Sequence, residues 1–405
     1  MYSKTFCVLP FIHIATDPDG YTKPCCISSN KSKQNFGIDS IDQIINSDYY
    51  KIIRQKMHQG ESVLGCETCY IKEKSSNTSY RTIYNDQFLQ NKTITSIIEK
   101  SFEENYQVKK HVKYLDLRFG NLCNLKCRSC NPQNSTQLNK EIAEISTVDQ
   151  SILKFYNPIG QDLNQWYQTE MFLQNLQDCS ATLRHLYITG GEPTIIDQNI
   201  KLLEYLCQQD LAKNILIKTS TNLTNISKRL IELFRQFKQA TIFCSIDGTD
   251  LYQEYLRYPS KWSQIKNNFE TLANDSHNLD IKITPVIQNV NFENAVKLFE
   301  YAGQFPWVEI FPILLENPYY FDIKYLPQEY RNECLNQLKS WYKSFPRKTK
   351  FLNDFMRQIE TKCQYSEDHK PALREFWQLT QMFDAHRETD LQSVNHRLWK
   401  ICQSL

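Results

Sequence analysis

Val112-Lys113-Tyr114-Leu115-Asp116-Leu117-Arg118-Phe119 runs directly into Gly120-Asn121-Leu122-Cys123-Asn124-Leu125-Lys126-Cys127-Arg128-Ser129-Cys130. The first part reads as a β-strand closed by a glycine. The second sets three cysteines in a C-x3-C-x2-C loop. Three thiolates on one tight loop can hold three irons of a four-iron, four-sulfur cube. With no fourth thiolate close by, one iron stays open. Zinc is a competing reading, but structural zinc takes a second ligand pair downstream, and no His or Cys follows Cys130 closely. Three unliganded buried thiols are the remaining alternative.

Working outward, five more short apolar runs follow: Leu183–Thr189, Ile215–Ser220, Ala240–Ile246, Ile281–Ile287 and Val308–Leu314. Helical segments lie between them, at Ile195–Gln209, Asn225–Gln239, Tyr252–Asn274 and Phe292–Tyr301. Strands alternating with helices predict βαβ units and a parallel sheet. Right-handed crossovers would curl six such units into an α/β partial (β/α)6 TIM-like barrel. Sites in such folds lie at the C-terminal ends of the strands. Residues 141–180 read as a helical insertion. The expected division is a cysteine-rich N-terminal α+β module at 1–105, the barrel at 106–320, and a helical C-terminal cover at 321–405.

The second strand ends in Thr189-Gly190-Gly191-Glu192-Pro193. Alone this is a fair turn. Together with the cysteine loop on the preceding strand, it resembles the radical S-adenosylmethionine (SAM) superfamily. The resemblance implies that Cys123, Cys127 and Cys130 hold a [4Fe–4S] cluster whose open iron SAM chelates. It implies that Gly190, Gly191, Glu192 and Pro193 meet the SAM amino group, the glycines allowing close backbone approach. Ser220 and Asn222, after the third strand, and Ser245 and Asp247, in the S-x-D-G segment after the fourth, are implied to face SAM. All four could instead cap the helices that follow. Arg257 resembles a stretch in SPASM and twitch members and could pair with the SAM carboxylate or a substrate acid; a surface salt bridge is the other reading. The superfamily commonly has an aromatic residue before the third cysteine. Here it is Ser129, so adenine stacking must come from elsewhere.

The N-terminus carries a second thiol group. Phe11–Thr16 and Tyr21–Lys23 flank Asp17-Pro18-Asp19-Gly20, a β-hairpin signal, and a helix is expected over Ser40–His58. Cys7 and Cys25 fall near the hairpin's open end, and Cys66 and Cys69 form a C-x2-C knuckle. These four make a complete ligand set, with Cys26 a close substitute for Cys25. Spacing alone suits zinc held by four cysteines or a fully ligated [4Fe–4S] cluster. The segment resembles the twitch module, a shortened SPASM domain, with Gly20 to Cys25 at the expected spacing. That resemblance implies an auxiliary [4Fe–4S] cluster acting as electron relay or support. Most such modules follow the barrel, whereas this one precedes it.

The resemblance also implies the chemistry. A flavodoxin or ferredoxin would reduce the cluster. SAM would be cleaved to methionine and a 5′-deoxyadenosyl radical, which abstracts hydrogen from a substrate. A peptide or protein side chain is the expected substrate, with a sugar or small metabolite as the alternative. A non-catalytic zinc-binding protein on the same scaffold is the reading from another class.

Composition narrows the rest. The 47 basic and 45 acidic residues leave a net charge of +2, which offers no electrostatic footprint for nucleic acid. No run of 18 apolar residues appears, so no membrane span is expected. The N-terminus lacks the apolar core of a signal peptide, and a cytoplasmic location is expected. Fourteen cysteines in a reducing compartment point to metal or chemistry rather than disulfides; the six scattered singly read as core or surface thiols. The last third, with Trp341, Trp377 and Trp399, reads as helical cover. An amphipathic helix is expected over Arg374–His386, with Asp384, His386 and Arg387 close together near its end.

Overall fold

The computed structural model describes residues 2–76, 79–109, 111–145, 155–156, 159, 163, 165–274, 278–366 and 368–405. Ten strands lie among them: β1 (His13–Thr16), β2 (Thr22–Lys23), β3 (Tyr114–Arg118), β4 (His185–Thr189), β5 (Leu216–Thr221), β6 (Gln239–Cys244), β7 (Leu279–Ile283), β8 (Val286–Ile287), β9 (Glu309–Ile310) and β10 (Ile313–Leu314). Eight form one sheet in the order β2-β1-β3-β4-β5-β6-β7-β9. β1 and β2 pair antiparallel as the expected hairpin, and β1 also pairs parallel to β3. β3–β4, β4–β5 and β7–β9 are parallel. Helices alternate with the strands, at Asp197–Gln208, Lys228–Arg235, Trp262–Asn274 and Ala295–Gly303. This is the expected mostly parallel α/β sheet, an open partial barrel.

Three details differ from the expectation. The last two strand runs each break in two at Pro285 and Pro312, because proline supplies no N–H to a ladder. Their distal halves, β8 and β10, pair separately as a two-stranded parallel sheet. The N-terminal hairpin extends the main sheet rather than standing apart. The helix expected over Ser40–His58 is two helices, Ile41–Ile45 and Asp48–Gln59. Ser40 closes a capping box with Gln43, and Ser47 caps the second helix through the Tyr50 N–H, so two serines start two helices. In the expected insertion, Thr136–Ile145 and Glu170–Ser180 are helical; most of the stretch between them lies outside the described residues.

The chain divides into two compact units. One comprises Met1–Leu122, Gln161–Thr219 and Arg229–Ala240; the other comprises Cys123–Gly160, Ser220–Lys228 and Thr241–Leu405. In the first unit the strands alternate cleanly. Ile14, Leu115, Leu117, Leu186, Ile188 and Ile217 are buried apolar residues on one face. The opposite face carries Asp116, Arg118, His185, Tyr187, Thr189 and Lys218, in register Asp116↔Tyr187↔Lys218 and Arg118↔Thr189. Period-two side chains explain the split. The lower part of that opposite, charged face is also packed, with Tyr114 against His13, Tyr84 and His185, and the charges gather toward the strand ends. No helix among the described residues is long and apolar enough to cross a membrane.

Candidate active site

The cysteine loop belongs to the second unit and is held there by its backbone. The Lys126 N–H donates to the Tyr258 carbonyl at 2.7 Å, and the Arg128 N–H to the Leu256 carbonyl at 2.9 Å. This short ladder brackets Arg257. The Cys123 N–H donates to Thr136 Oγ1 at 3.3 Å, and the Cys130 N–H to the Cys127 carbonyl at 3.1 Å. Cys123 is buried; Cys127 and Cys130 are half-buried. Burial pushes the Cys130 thiol up to about 12, and Cys127 adds to the rise. Burial also raises the Cys127 thiol, while Arg257 draws it down. Buried neighbouring thiols of this kind ionise when a cation compensates them, which suits cluster ligands.

The Gly190-Gly191-Glu192-Pro193 turn belongs to the first unit. Both glycines have positive φ, +89° and +45°. A Cβ on Gly191 would stand 2.0 Å from the Leu122 carbonyl oxygen, and one on Gly190 2.8 Å from that of Gly120. The Glu192 N–H donates to the Leu122 carbonyl at 2.8 Å. The turn is therefore pressed onto the backbone that leads directly into Cys123, with no room for a side chain. Glu192 is buried; its Oε1 accepts from the Thr194 N–H at 3.1 Å and the Thr194 hydroxyl at 2.7 Å. Pro193 opens a short 3-10 turn.

The remaining predicted residues lie in the second unit. Asn222 donates to Asn124 Oδ1 at 3.0 Å and accepts from the Thr224 N–H at 2.9 Å, so it braces the cysteine loop and closes its own turn. Asp247 is buried and engaged on both oxygens: Oδ2 accepts from Arg257 Nε at 2.7 Å, and Oδ1 from the Val286 N–H at 2.8 Å. Arg257 is therefore no surface salt bridge. The Ser245 N–H donates to the Thr221 carbonyl at 2.9 Å. Ser220 and Ser245 are half-buried at the ends of their strands.

The N-terminal thiols separate cleanly. Burial pushes Cys7 well up, and Cys25, Cys66 and Cys69 all add to its rise. Cys66 is pushed up to about 12 by burial, with Cys25 and Cys69 adding to it. Cys25 is raised to about 11 by burial. The Ser29 N–H donates to the Gly65 carbonyl at 3.2 Å, joining the hairpin arm to the knuckle, and the Cys69 N–H donates to the Cys66 carbonyl at 3.2 Å within the knuckle itself. Cys26 turns the other way, toward Asp116 and Arg118. Among the described residues no three His, Cys, Asp or Glu side chains are set for one metal ion. A single tetrahedral zinc would require sulfurs about 4 Å apart, whereas the thiolates of a cube bind different irons.

Residues that sequence reading left aside, Arg128, Tyr156 and Glu141, surround the cysteine loop in the second unit together with Asp384 and Arg387 of the expected amphipathic helix. Arg128, buried between the second and third cysteines, pairs with Asp384, donates from Nε to the Tyr255 carbonyl at 3.2 Å, and lies 3.8 Å over the Tyr255 ring. Tyr156 donates its hydroxyl to the Arg128 carbonyl. Arg387 pairs with Glu141, with Nε 3.0 Å from Oε1, and both are buried. The Lys370–Arg387 helix thus holds the loop through Asp384–Arg128 and the helix that follows it, Thr136–Ile145, through Arg387–Glu141. In the first unit, Asp116 and Arg118 were equally unmarked. Two charges on one face of the strand 114–118, set between apolar residues, are the signal that could have found them.

Comparison with known proteins agrees with the motif reading. A family model described as Radical SAM superfamily matches residues 117–302. No curated protein matches the chain. Among solved structures, SuiB of Streptococcus suis bound to S-adenosylmethionine is 15% identical, with 74% of this chain and 59% of that chain covered and a TM-score of 0.39. The structure of anSMEcpe with bound AdoMet is 16% identical, covering 57% of this chain and 61% of that one, with a TM-score of 0.41. The match thus spans about three fifths of the length of each.

Proposed function

We propose, from the match of residues 117–302 to the Radical SAM superfamily model, that the chain is a radical SAM enzyme that modifies a peptide or protein side chain. The observation that carries the reading is the glycine turn fitted onto the backbone just before Cys123, where a Cβ at Gly191 would meet the Leu122 carbonyl at 2.0 Å. Packing with no room for a methyl group ties the glycine turn to the backbone that enters the three-cysteine loop, as the resemblance requires of the two motifs.

Cys123, Cys127 and Cys130 would hold the cluster, and Gly190, Gly191 and Glu192 would orient the SAM amino group. When bound, the cluster supplies the electron that breaks the SAM S–C5′ bond and so generates a 5′-deoxyadenosyl radical. Arg257, fixed by Asp247, places a positive charge beside the ligating thiols. Asn222 holds Asn124 and so the shape of the loop. Cys7, Cys25, Cys66 and Cys69 would hold an auxiliary [4Fe–4S] cluster, with a flavodoxin or ferredoxin as reductant and a cytoplasmic location. The substrate class rests on the resemblance of the N-terminal segment to twitch and SPASM modules, as does the division at 1–105, 106–320 and 321–405.

Anaerobic reconstitution with iron and sulfide, followed by dithionite and SAM, tests the reading. The expected result is 5′-deoxyadenosine from the parent chain and none from Cys127→Ala. No iron uptake and no SAM cleavage would leave a binding protein.

A further inference from the structure

Buried polar atoms short of N–H or O–H partners gather at one place in the first unit, where the weak Cys26 thiol is the one donor on Asp116 among the described residues. Asp116 is fully buried, and neither carboxylate oxygen has an N–H or O–H partner. Arg118 Nε and Thr189 Oγ1 are also buried and unpartnered. These side chains share the charged face of the sheet. Arg118 and Thr189 are register partners across β3 and β4, and Asp116 lies one pleat below on the same face. Native proteins satisfy nearly all such atoms, so a cluster of four calls for a reason. A buried carboxylate is the most costly of them to leave unmade.

The surroundings define what would complete the cluster. The Arg118 N–H of the main chain is tied to Thr16 Oγ1 at 3.0 Å, which holds the strand end in place. Ala15 and Tyr187 flank Asp116 in register. The Cys26 thiol, a weak donor, closes on it from the N-terminal module. Exposure rises along the strands: Asp116 is enclosed, whereas Arg118 and Thr189 are half-buried. The open end is the C-terminal end of β4, immediately before Gly190. Asp116 offers acceptors only, and Arg118 donors only. Their charges already oppose one another, so a charged ligand would leave an uncompensated charge in a buried site. A neutral group with a donor beside an acceptor matches both at once.

We propose that Asp116, Arg118 and Thr189 form a recognition site for a carboxamide of the substrate, whose N–H donates to Asp116 and whose carbonyl accepts from Arg118, with the Thr189 hydroxyl as the third contact. This deepens the proposed peptide reading and rests on it for the substrate class: a backbone amide, or an Asn or Gln side chain, presents this pair of groups. The site lies on the face where the strands end, so it would set which residue of a peptide is offered at the glycine turn.

Saturation-transfer NMR on the full chain tests this without turnover, using butyramide, methyl butyrate and glycine as probes. Butyramide should receive at least about tenfold more transfer than methyl butyrate, which keeps the carbonyl and lacks the N–H. Its transfer should be lost in Asp116→Leu and reduced in Thr189→Val, the second variant guarding against misfolding of the first. Equal transfer to amide and ester, a preference for glycine, or amide transfer unchanged in both variants would overturn the site. Amide binding by a chain that never cleaves SAM would instead sink the radical reading and leave this site standing.

Discussion

At the scale of single residues, Gly191 shows how little freedom the site has. Its φ of +45° already disfavours an L side chain, and its missing Cβ is the space taken by the Leu122 carbonyl. Gly191→Ala must either push that carbonyl, and with it Cys123, or open the turn. The expected cost is about 2 kcal/mol or more from strain and overpacking. 5′-Deoxyadenosine formation should fall at least about 100-fold, with the melting temperature lowered by only a few degrees. Wild-type rates in Gly191→Ala would show that the turn does not position the ligand. This residue was marked in the sequence only because the Gly-Gly-Glu-Pro turn follows the strand next to the cysteine loop; alone it is a fair turn. Arg128 was not: an arginine between two cysteines looks like surface until its Asp384 partner, 256 positions away, is known.

At the scale of elements, the Lys370–Arg387 helix has a larger part than a cover. Asp384 neutralises Arg128, and Arg387 neutralises Glu141, which Lys126 also approaches at 3.4 Å. Breaking a buried pair leaves a charge uncompensated, at about 3–5 kcal/mol, whereas replacing both partners with apolar residues is far milder. Denaturant titrations should therefore rank Glu141→Leu as more destabilising than Glu141→Leu combined with Arg387→Leu. If the double variant is the sum of its parts, the pair is not coupled and this hold on the Thr136–Ile145 helix is wrong. The sequence showed an amphipathic helix with polar residues near its end. It did not show that they face a cluster loop, because helical periodicity locates a buried stripe but not what is buried against it.

At the scale of the whole molecule, the N-terminal module shows where chain connectivity misleads. Cys25 and Cys26 are neighbours with the same chemistry, yet one faces the Cys7, Cys66 and Cys69 thiols and the other faces Asp116. Iron content after anaerobic reconstitution should fall in Cys25→Ala and hold in Cys26→Ala. Equal loss in both, or in neither, would remove the auxiliary site as assigned. By itself the sequence determined the alternating α/β order, the two motif loops and the four thiols, because each is written in local spacing: period two or 3.6 in the apolar residues, and fixed gaps between cysteines and glycines. Only the tertiary structure decided which of two adjacent cysteines joins its group, that the hairpin extends the sheet beside β3, and that Asp116, Arg118 and Thr189 meet on one face. Those outcomes depend on strand register and on partners far apart in the chain, and a one-residue shift in register would turn every one of these side chains to the other side.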